Sequence, residues 1–191
     1  INNGAEMLYL KNFTRCPDLI NQFNSFENVW SCAAHWHAFK RLKDNVKYFL
    51  AHAGEKDCLV VAGASPDYII DHPRVFYVGN LDTDKLLTLF EISTYFVHLA
   101  YLDHCPNVVV DAQASGCKIV CSSAGGTREI AGPSAMIIKE PEWDFGFLDI
   151  KEPPQINYNE VMRNDIESNI SMSYTARNYS SFFRKVLENV S

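Results

Sequence analysis

The feature that most constrains this chain is a repeat: short apolar runs, each followed by a stretch with apolar residues at helical spacing, as in successive βαβ units. Asn28-Val29-Trp30-Ser31-Cys32-Ala33-Ala34 reads as a first strand, and Leu42, Val46, Phe49 and Leu50 give the next segment one apolar helical face. Cys58-Leu59-Val60-Val61-Ala62-Gly63 and Val75-Phe76-Tyr77-Val78-Gly79 read as further strands, each ending in a glycine where a turn needs φ freedom. Asp82 or Thr83 can cap a helix through Leu86, Leu87 and Phe90, after which residues 95–99 return as a strand. Pro106 suits the first position of a helix running to about Ser115, with Gly116 as its stop. Residues 118–121 form the next strand, residues 125–129 a turn into a short helix, and residues 135–138 the last strand. The expected class is α/β, with a parallel sheet covered on both faces.

From residue 139 to about 159 the pattern dissolves into Pro141, Pro153, Pro154 and lone aromatics, which reads as an irregular surface segment. A helical tail is expected from about residue 160, clearest from Asn164 to Val190, with Tyr174, Phe182, Phe183, Val186 and Leu187 as its anchors. A length of 191 residues suits one domain spanning 1–191. A net charge of -6 argues against a broad nucleic-acid footprint, which needs clustered Lys and Arg, yet it leaves room for a local phosphate site. No apolar run approaches the ~20 residues that span a bilayer, and Ile1-Asn2-Asn3-Gly4 lacks the basic and apolar sections of a signal peptide. Cys16, Cys32, Cys58, Cys105, Cys117 and Cys121 are scattered without a C-x-x-C pair, so reduced thiols and a cytoplasmic location are expected. His35, His37 and His104 are not spaced as a helical zinc pair, and no metal site is read.

The chemistry concentrates between Leu99 and Gly116. Asp103 falls in the loop at the C-terminal end of a strand, and Asp111 lies inside the following helix. In an open α/β sheet ligands bind at that edge, because a helix N-terminus offers free N–H groups and a positive dipole end. A phosphate can rest on the Asn107 and Val108 N–H groups while each carboxylate accepts from a sugar hydroxyl.

Asp103 and Asp111, with Asp111-Ala112-Gln113-Ala114-Ser115-Gly116 behind them, resemble the E-x7-E and E-A-x-A-x-G motifs of family 4 glycosyltransferases, with Asp for Glu at both carboxylate positions. Four further pieces resemble the same family in order and spacing. They are Asn2-Asn3-Gly4 after the interdomain linker, the phosphate-binding turn at Trp36-His37-Ala38-Phe39-Lys40-Arg41-Leu42, the strand ending at Gly63, and the G-G-x-x-E turn at Gly125-Gly126-Thr127-Arg128-Glu129. The resemblance spans roughly residues 1–138. It implies a Rossmann-like domain, the C-terminal, donor-binding half of a GT-B fold, with the N-terminal acceptor domain outside this sequence and the tail crossing back toward it. The implied activity is retaining transfer of a hexose-type sugar from a nucleotide diphosphate sugar to a glycan, lipid or protein acceptor. No cofactor or metal is implied, and this half alone is expected to be inactive. Lys40, the Asn107 and Val108 N–H groups and Gly126 would bind the diphosphate. Gly63 would line the pocket, Asp103 would orient the sugar and Asp111 the ribose. Many relatives carry an arginine a few residues before the lysine, where this chain offers His35 and His37; His37 would act as a hydrogen-bond donor.

Other readings stand beside these. Arg41, among Lys43 and Lys47, reads as part of a solvated helix face, and Glu129 as a dipole-favouring residue of a first turn. His98 reads as a packed or hydrogen-bonded core residue, and Trp30 and Trp36 as packing. A sugar-nucleotide 2-epimerase and a non-catalytic nucleotide-sugar-binding module are the alternative functions.

Overall fold

The computed structural model describes residues 3–143, 146 and 152–188, so Ile1, Asn2 and the end of the tail at Val190 lie outside the described residues. Six strands pair in parallel: β1 (Val29–Ala33), β2 (Cys58–Ala62), β3 (Val75–Gly79), β4 (Tyr95–His98), β5 (Lys118–Ser122) and β6 (Met136–Ile138). Their order is β3-β2-β1-β4-β5-β6, that of a doubly wound dinucleotide-binding sheet. A seventh strand, β7 (Val161–Arg163), joins the β6 edge antiparallel, so β6 is not the last strand and the sheet is not wholly parallel. Among the described residues no helix lies between β6 and β7, and the chain runs back along the β6 edge to pair antiparallel with it.

Period-two alternation divides the strand residues between two cores. Val29, Ala33, Val60, Ala62, Phe96, Ile119 and Ile137 face one layer made by α1 (Met7–Asn12), α2 (Pro17–Phe23), α4 (Thr83–Ile92), α5 (Asn107–Ala114) and α6 (Thr127–Ile130). Trp30, Cys32, Leu59, Val61, Val97, Leu99 and Val120 face the other, where Leu42, Val46 and Phe49 of α3 (Leu42–His52) pack. Asp82 is the cap of α4, its side chain accepting from the Lys85 N–H at 2.9 Å. Neither α1 nor α2 was legible as an apolar period.

Because α3 alone is too little to cover the second face, the segment after β6 completes the cover. Glu140 is 6 % exposed, and Ile156 and Tyr158 pack against the α3 side of the sheet. The Tyr158 ring meets Tyr48 edge-on at 5.7 Å, and its hydroxyl donates to Asp44 at 2.8 Å. Most described residues from 139 to 159 are exposed and irregular, as expected, but Glu140, Ile156 and Tyr158 turn inward and add to the cover of the sheet.

The tail differs too. Residues 164–170 are not helical, and α7 (Met172–Glu188) begins later than expected. It is tied at its start, where Ala5 bridges Ser171 and the Met172 N–H donates to the Ala5 carbonyl at 3.1 Å. Its expected anchors are exposed: Phe182 by 52 %, Phe183 by 57 % and Leu187 by 71 %, with Tyr174 and Val186 also on the surface. An amphipathic stripe shows that a face can be buried, not that this chain supplies its partner.

Candidate functional site

In this strand order the chain winds outward from β1 through β2 to β3 and, in the other direction, from β4 through β5 to β6. A crevice is left at the C-terminal ends of β1 and β4, where open α/β sheets hold ligands. A cleft of about 440 Å³ lies there, between Ala33 at the end of β1 with His35, His37 and Lys40 after it, Gly63 just after β2, Asn80 and Leu81 before α4, His98, and Pro106 to Val108. Gly63 has φ +117°, and a Cβ on it would lie 1.8 Å from the Ala34 carbonyl oxygen. That position admits no side chain, because the β1 and β2 loops touch backbone to backbone.

One wall is the start of α5. Pro106 is its N-cap rather than its first helical residue, and its carbonyl accepts from Val109 and Val110 at 3.0 and 3.3 Å. The Asn107 and Val108 N–H groups precede the first helical bond and point outward, as the opening turn of any helix requires. The loop before them is pinned by Asn3, whose side-chain amide donates to the Cys105 carbonyl at 3.1 Å and to Asn107 Oδ1 at 2.7 Å.

At the floor, Lys40 and His98 meet on one oxygen. The Lys40 ammonium donates to Asp103 Oδ2, and His98 Nε2 lies 2.9 Å from the same atom. Burial alone would raise the Asp103 carboxyl, but hydrogen bonds from His98 and Lys40 outweigh it and hold the group well below the ordinary carboxylate range. Burial lowers His98 below the ordinary imidazole value despite Asp103, so the neutral ring donates through Nε2–H to an ionised Asp103.

Asp103 is fixed from behind. The Gly126 N–H donates to the Asp103 carbonyl at 2.9 Å. Cβ atoms on Gly125 and Gly126 would lie 2.6 Å from the Asp103 carbonyl oxygen and 2.1 Å from that of His104, so the glycine pair lets two loops close on each other. The structure thus gives Gly126 a supporting place, its N–H already used.

Lys40 is fixed from its own side. It ends a 3-10 turn (Ala38–Lys40), and Arg41 follows in the left-handed conformation at φ 53°. Arg41 is 3 % exposed and makes a two-pronged ion pair with Glu140 at 2.8 and 2.9 Å, while Ser122 also donates to Glu140. This corrects the reading of Arg41 as a solvated helix residue. The left-handed turn aims its side chain inward, and the buried partner lies 99 positions away. Asn45, 1 % exposed, accepts from the Leu99 N–H at 2.9 Å and donates to the Lys40 carbonyl at 3.3 Å. The Lys40 turn and the loop carrying Asp103 are therefore one clamped unit.

His37, Lys40, Gly63, Asn107 and Val108 line the cleft, and Asp103 joins it through Lys40 and His98. Asp111, half-buried, opens instead into a neighbouring depression of about 570 Å³ formed with Gly4, Thr175 and Tyr179, and Asn107 borders both hollows. Burial raises the Asp111 carboxyl, which makes no hydrogen bond or ion pair among the described residues. Sequence reasoning did not single out Asn80, Leu81, Asn45 or Glu140. It left His98 in the core, where it is, without its bond to Asp103. A polar residue ending an apolar strand five positions before the motif aspartate was the available signal.

Among the described residues no group of His, Cys, Asp or Glu is placed to hold a metal ion, and no helix is long and apolar enough to cross a membrane.

Comparison with known proteins agrees with this fold. No curated protein sequence matches the chain. Among solved structures, AviGT4, a glycosyltransferase involved in avilamycin A biosynthesis, superposes with a TM-score of 0.58 at 15% identity, covering 98% of this chain and 58% of its own. Anabaena HepE in complex with UDP and glucose gives 0.56 at 17% identity over 73% of this chain and 42% of its own. Sucrose-phosphate synthase from Thermosynechococcus elongatus gives 0.52 at 19% identity over 72% and 38%. The chain thus spans between about two fifths and three fifths of these proteins, and it shares with them the α/β fold of a GT-B half. The family model of glycosyl transferases group 1 matches residues 36–144, from the Lys40 turn through the Asp103 loop to the segment that buries Glu140. That is more than half of the sequence, and the chain belongs to the group 1 glycosyl transferases.

Proposed function

We propose that this chain is the donor-binding half of a retaining, family 4-type glycosyltransferase, which binds a nucleotide diphosphate sugar and passes its hexose-type sugar to an acceptor held by a second domain. The observation that carries this is the meeting of Lys40, the open α5 N-terminus and Asp103 in one cleft at the crossover of the sheet. HepE, which shares the fold, has been seen with UDP-glucose.

Loss of the diphosphate leaves negative charge on its oxygens. Lys40 and the Asn107 and Val108 N–H groups meet that charge in a partly dry cleft, where fixed donors stabilise it more than water would. In this reading no metal ion is needed. Lys40 exchanges Asp103 for the diphosphate as the donor enters, and Asp103 turns its acceptor capacity to the transferred sugar. Asp111 accepts from the ribose hydroxyls. A cytoplasmic place suits the six cysteines, which are free and scattered.

A thermal-shift series with UDP, GDP and ADP tests the reading. A nucleotide at a hundred times its Kd adds about 2.7 kcal/mol of apparent stability, because it binds the folded state only. Stabilisation by at least one of the three is expected. No stabilisation by any of them at millimolar concentration overturns the proposal.

A further inference from the structure

His98 ends β4, is 3 % exposed, and still contributes to the cleft wall. Strand alternation puts its ring on the same face as Phe96, the two planes within 13° of parallel. The ring therefore has a fixed seat, and Nε2 faces Asp103 Oδ2 at 2.9 Å. Lys40 shares that oxygen. Leu102, in the left-handed region at φ 53°, turns the loop back so that the carboxylate reaches both donors.

The two donors do not have the same freedom. Lys40 carries its ammonium on a long stem that lines the cleft and is the group that must meet a diphosphate, whereas the His98 ring is held by the sheet. The geometry points to His98 as the positioning residue of Asp103: its Nε2–H keeps Oδ2 in place while Lys40 moves from Asp103 to the donor's diphosphate, and Oδ1 is left to accept from a hydroxyl of the transferred sugar. The assignment rests on the donor-binding reading above. It explains how an aspartate, with one methylene less than glutamate, is kept in a defined place in the cleft when its ion-pair partner leaves. The neutral state of the buried ring suits this, since a neutral imidazole donates one hydrogen bond and adds no charge to compete with Lys40 for the diphosphate.

The test titrates wild type, His98→Ala and His98→Gln calorimetrically with UDP, GDP and ADP, and with UDP-glucose, UDP-galactose, GDP-mannose and ADP-glucose. His98→Ala should leave nucleoside diphosphate binding within about twofold of wild type and weaken the preferred nucleotide sugar by about tenfold, the worth of a hydrogen bond to a charged group. His98→Gln, whose amide N–H has a similar reach, should recover most of that loss. A wild-type preference for the nucleotide sugar that survives in His98→Ala overturns this inference alone, and so does an equal loss for both ligand classes. Wild type that binds none of the seven ligands overturns the donor reading and this inference with it. Imidazole nitrogen spectra of the wild-type chain give a check independent of how the variants fold. A neutral Nε2–H tautomer whose signals move in Asp103→Asn supports the contact, and an Nδ1–H tautomer overturns it.

Discussion

The buried pair of Arg41 and Glu140 allows the strongest prediction about stability. Their side chains are 1% and 2% exposed, and the two carboxylate oxygens take two guanidinium N–H groups at 2.8 and 2.9 Å. Glu140→Gln removes the counter-charge but not the guanidinium, which cannot deprotonate. Arg41 would keep the single amide oxygen of the new glutamine and the Pro154 and Leu99 carbonyls, at 2.5 and 3.4 Å, all of them uncharged. Breaking one side of a buried pair costs about 3–5 kcal/mol, a large fraction of the ~5–15 kcal/mol that holds an ordinary domain together. With a urea slope near ~2 kcal/mol/M, the midpoint should fall by about 2 M. The double variant Arg41→Met/Glu140→Leu should regain most of the loss, because apolar replacement of both partners removes the desolvation penalty as well as the attraction. Urea unfolding followed by circular dichroism gives all the midpoints. A shift below about 0.5 M for Glu140→Gln, or a double variant as unstable as the two single losses added, would refute the reasoning.

Lys40→Ala should weaken nucleoside diphosphate binding by more than it weakens binding of the bare nucleoside, and equal losses by calorimetry would reduce Lys40 to a support for its loop. The folded chain holds His98 below the ordinary imidazole value because burial disfavours its charged form, so the unfolded chain takes up that proton first on acidification. The stability His98 contributes is present above pH ~6.5 and is lost as pH falls through the folded-state value, at up to ~1.4 kcal/mol per pH unit. His98→Gln should remove that slope from urea midpoints measured between pH 7.5 and 5, and parallel curves for the two proteins would contradict the assignment. Gly63→Ala should cost about 3 kcal/mol, from strain at positive φ and the clash with Ala34; a change below about 1 kcal/mol in urea unfolding would show that the β1 and β2 loops are not held as close as described.

The strands and the α3, α4 and α5 helices were legible because each carries its own period, and because Asp82, Pro106 and Gly116 mark their ends with residues whose backbone chemistry is local. The three-residue β7 was not, since Val161-Met162-Arg163 is too short for any period and is a strand only because β6 lies beside it. Arg41 and Glu140 form a site wall across 99 positions, and no spacing rule links a basic residue in a turn to a carboxylate after a distant strand. In α7 the amphipathic period was read correctly as a helix, but whether its aromatic stripe is covered is a property of the surroundings. The motif aspartates were legible from their places at a strand end and in the next helix, and the resemblance added their roles. That Asp103 would share an oxygen between Lys40 and His98, and that Asp111 would open on a neighbouring hollow, depended on how the loops close.

The central claim is that Asp103 and Asp111 serve different ends of one nucleotide sugar, and calorimetric titration of Asp103→Ala and Asp111→Ala with a nucleoside diphosphate and its sugar conjugate tests it directly. Asp111→Ala should weaken both ligands alike, because the ribose is common to them. Asp103→Ala should leave the nucleoside diphosphate as tight as in wild type, or tighter, since it frees Lys40 from its ion pair. It should also remove ~1–3 kcal/mol of the extra affinity of the intact nucleotide sugar. If Asp103→Ala weakens the nucleoside diphosphate as much as Asp111→Ala does, or if neither substitution matters in a folded chain, the division of labour proposed for the two aspartates is wrong.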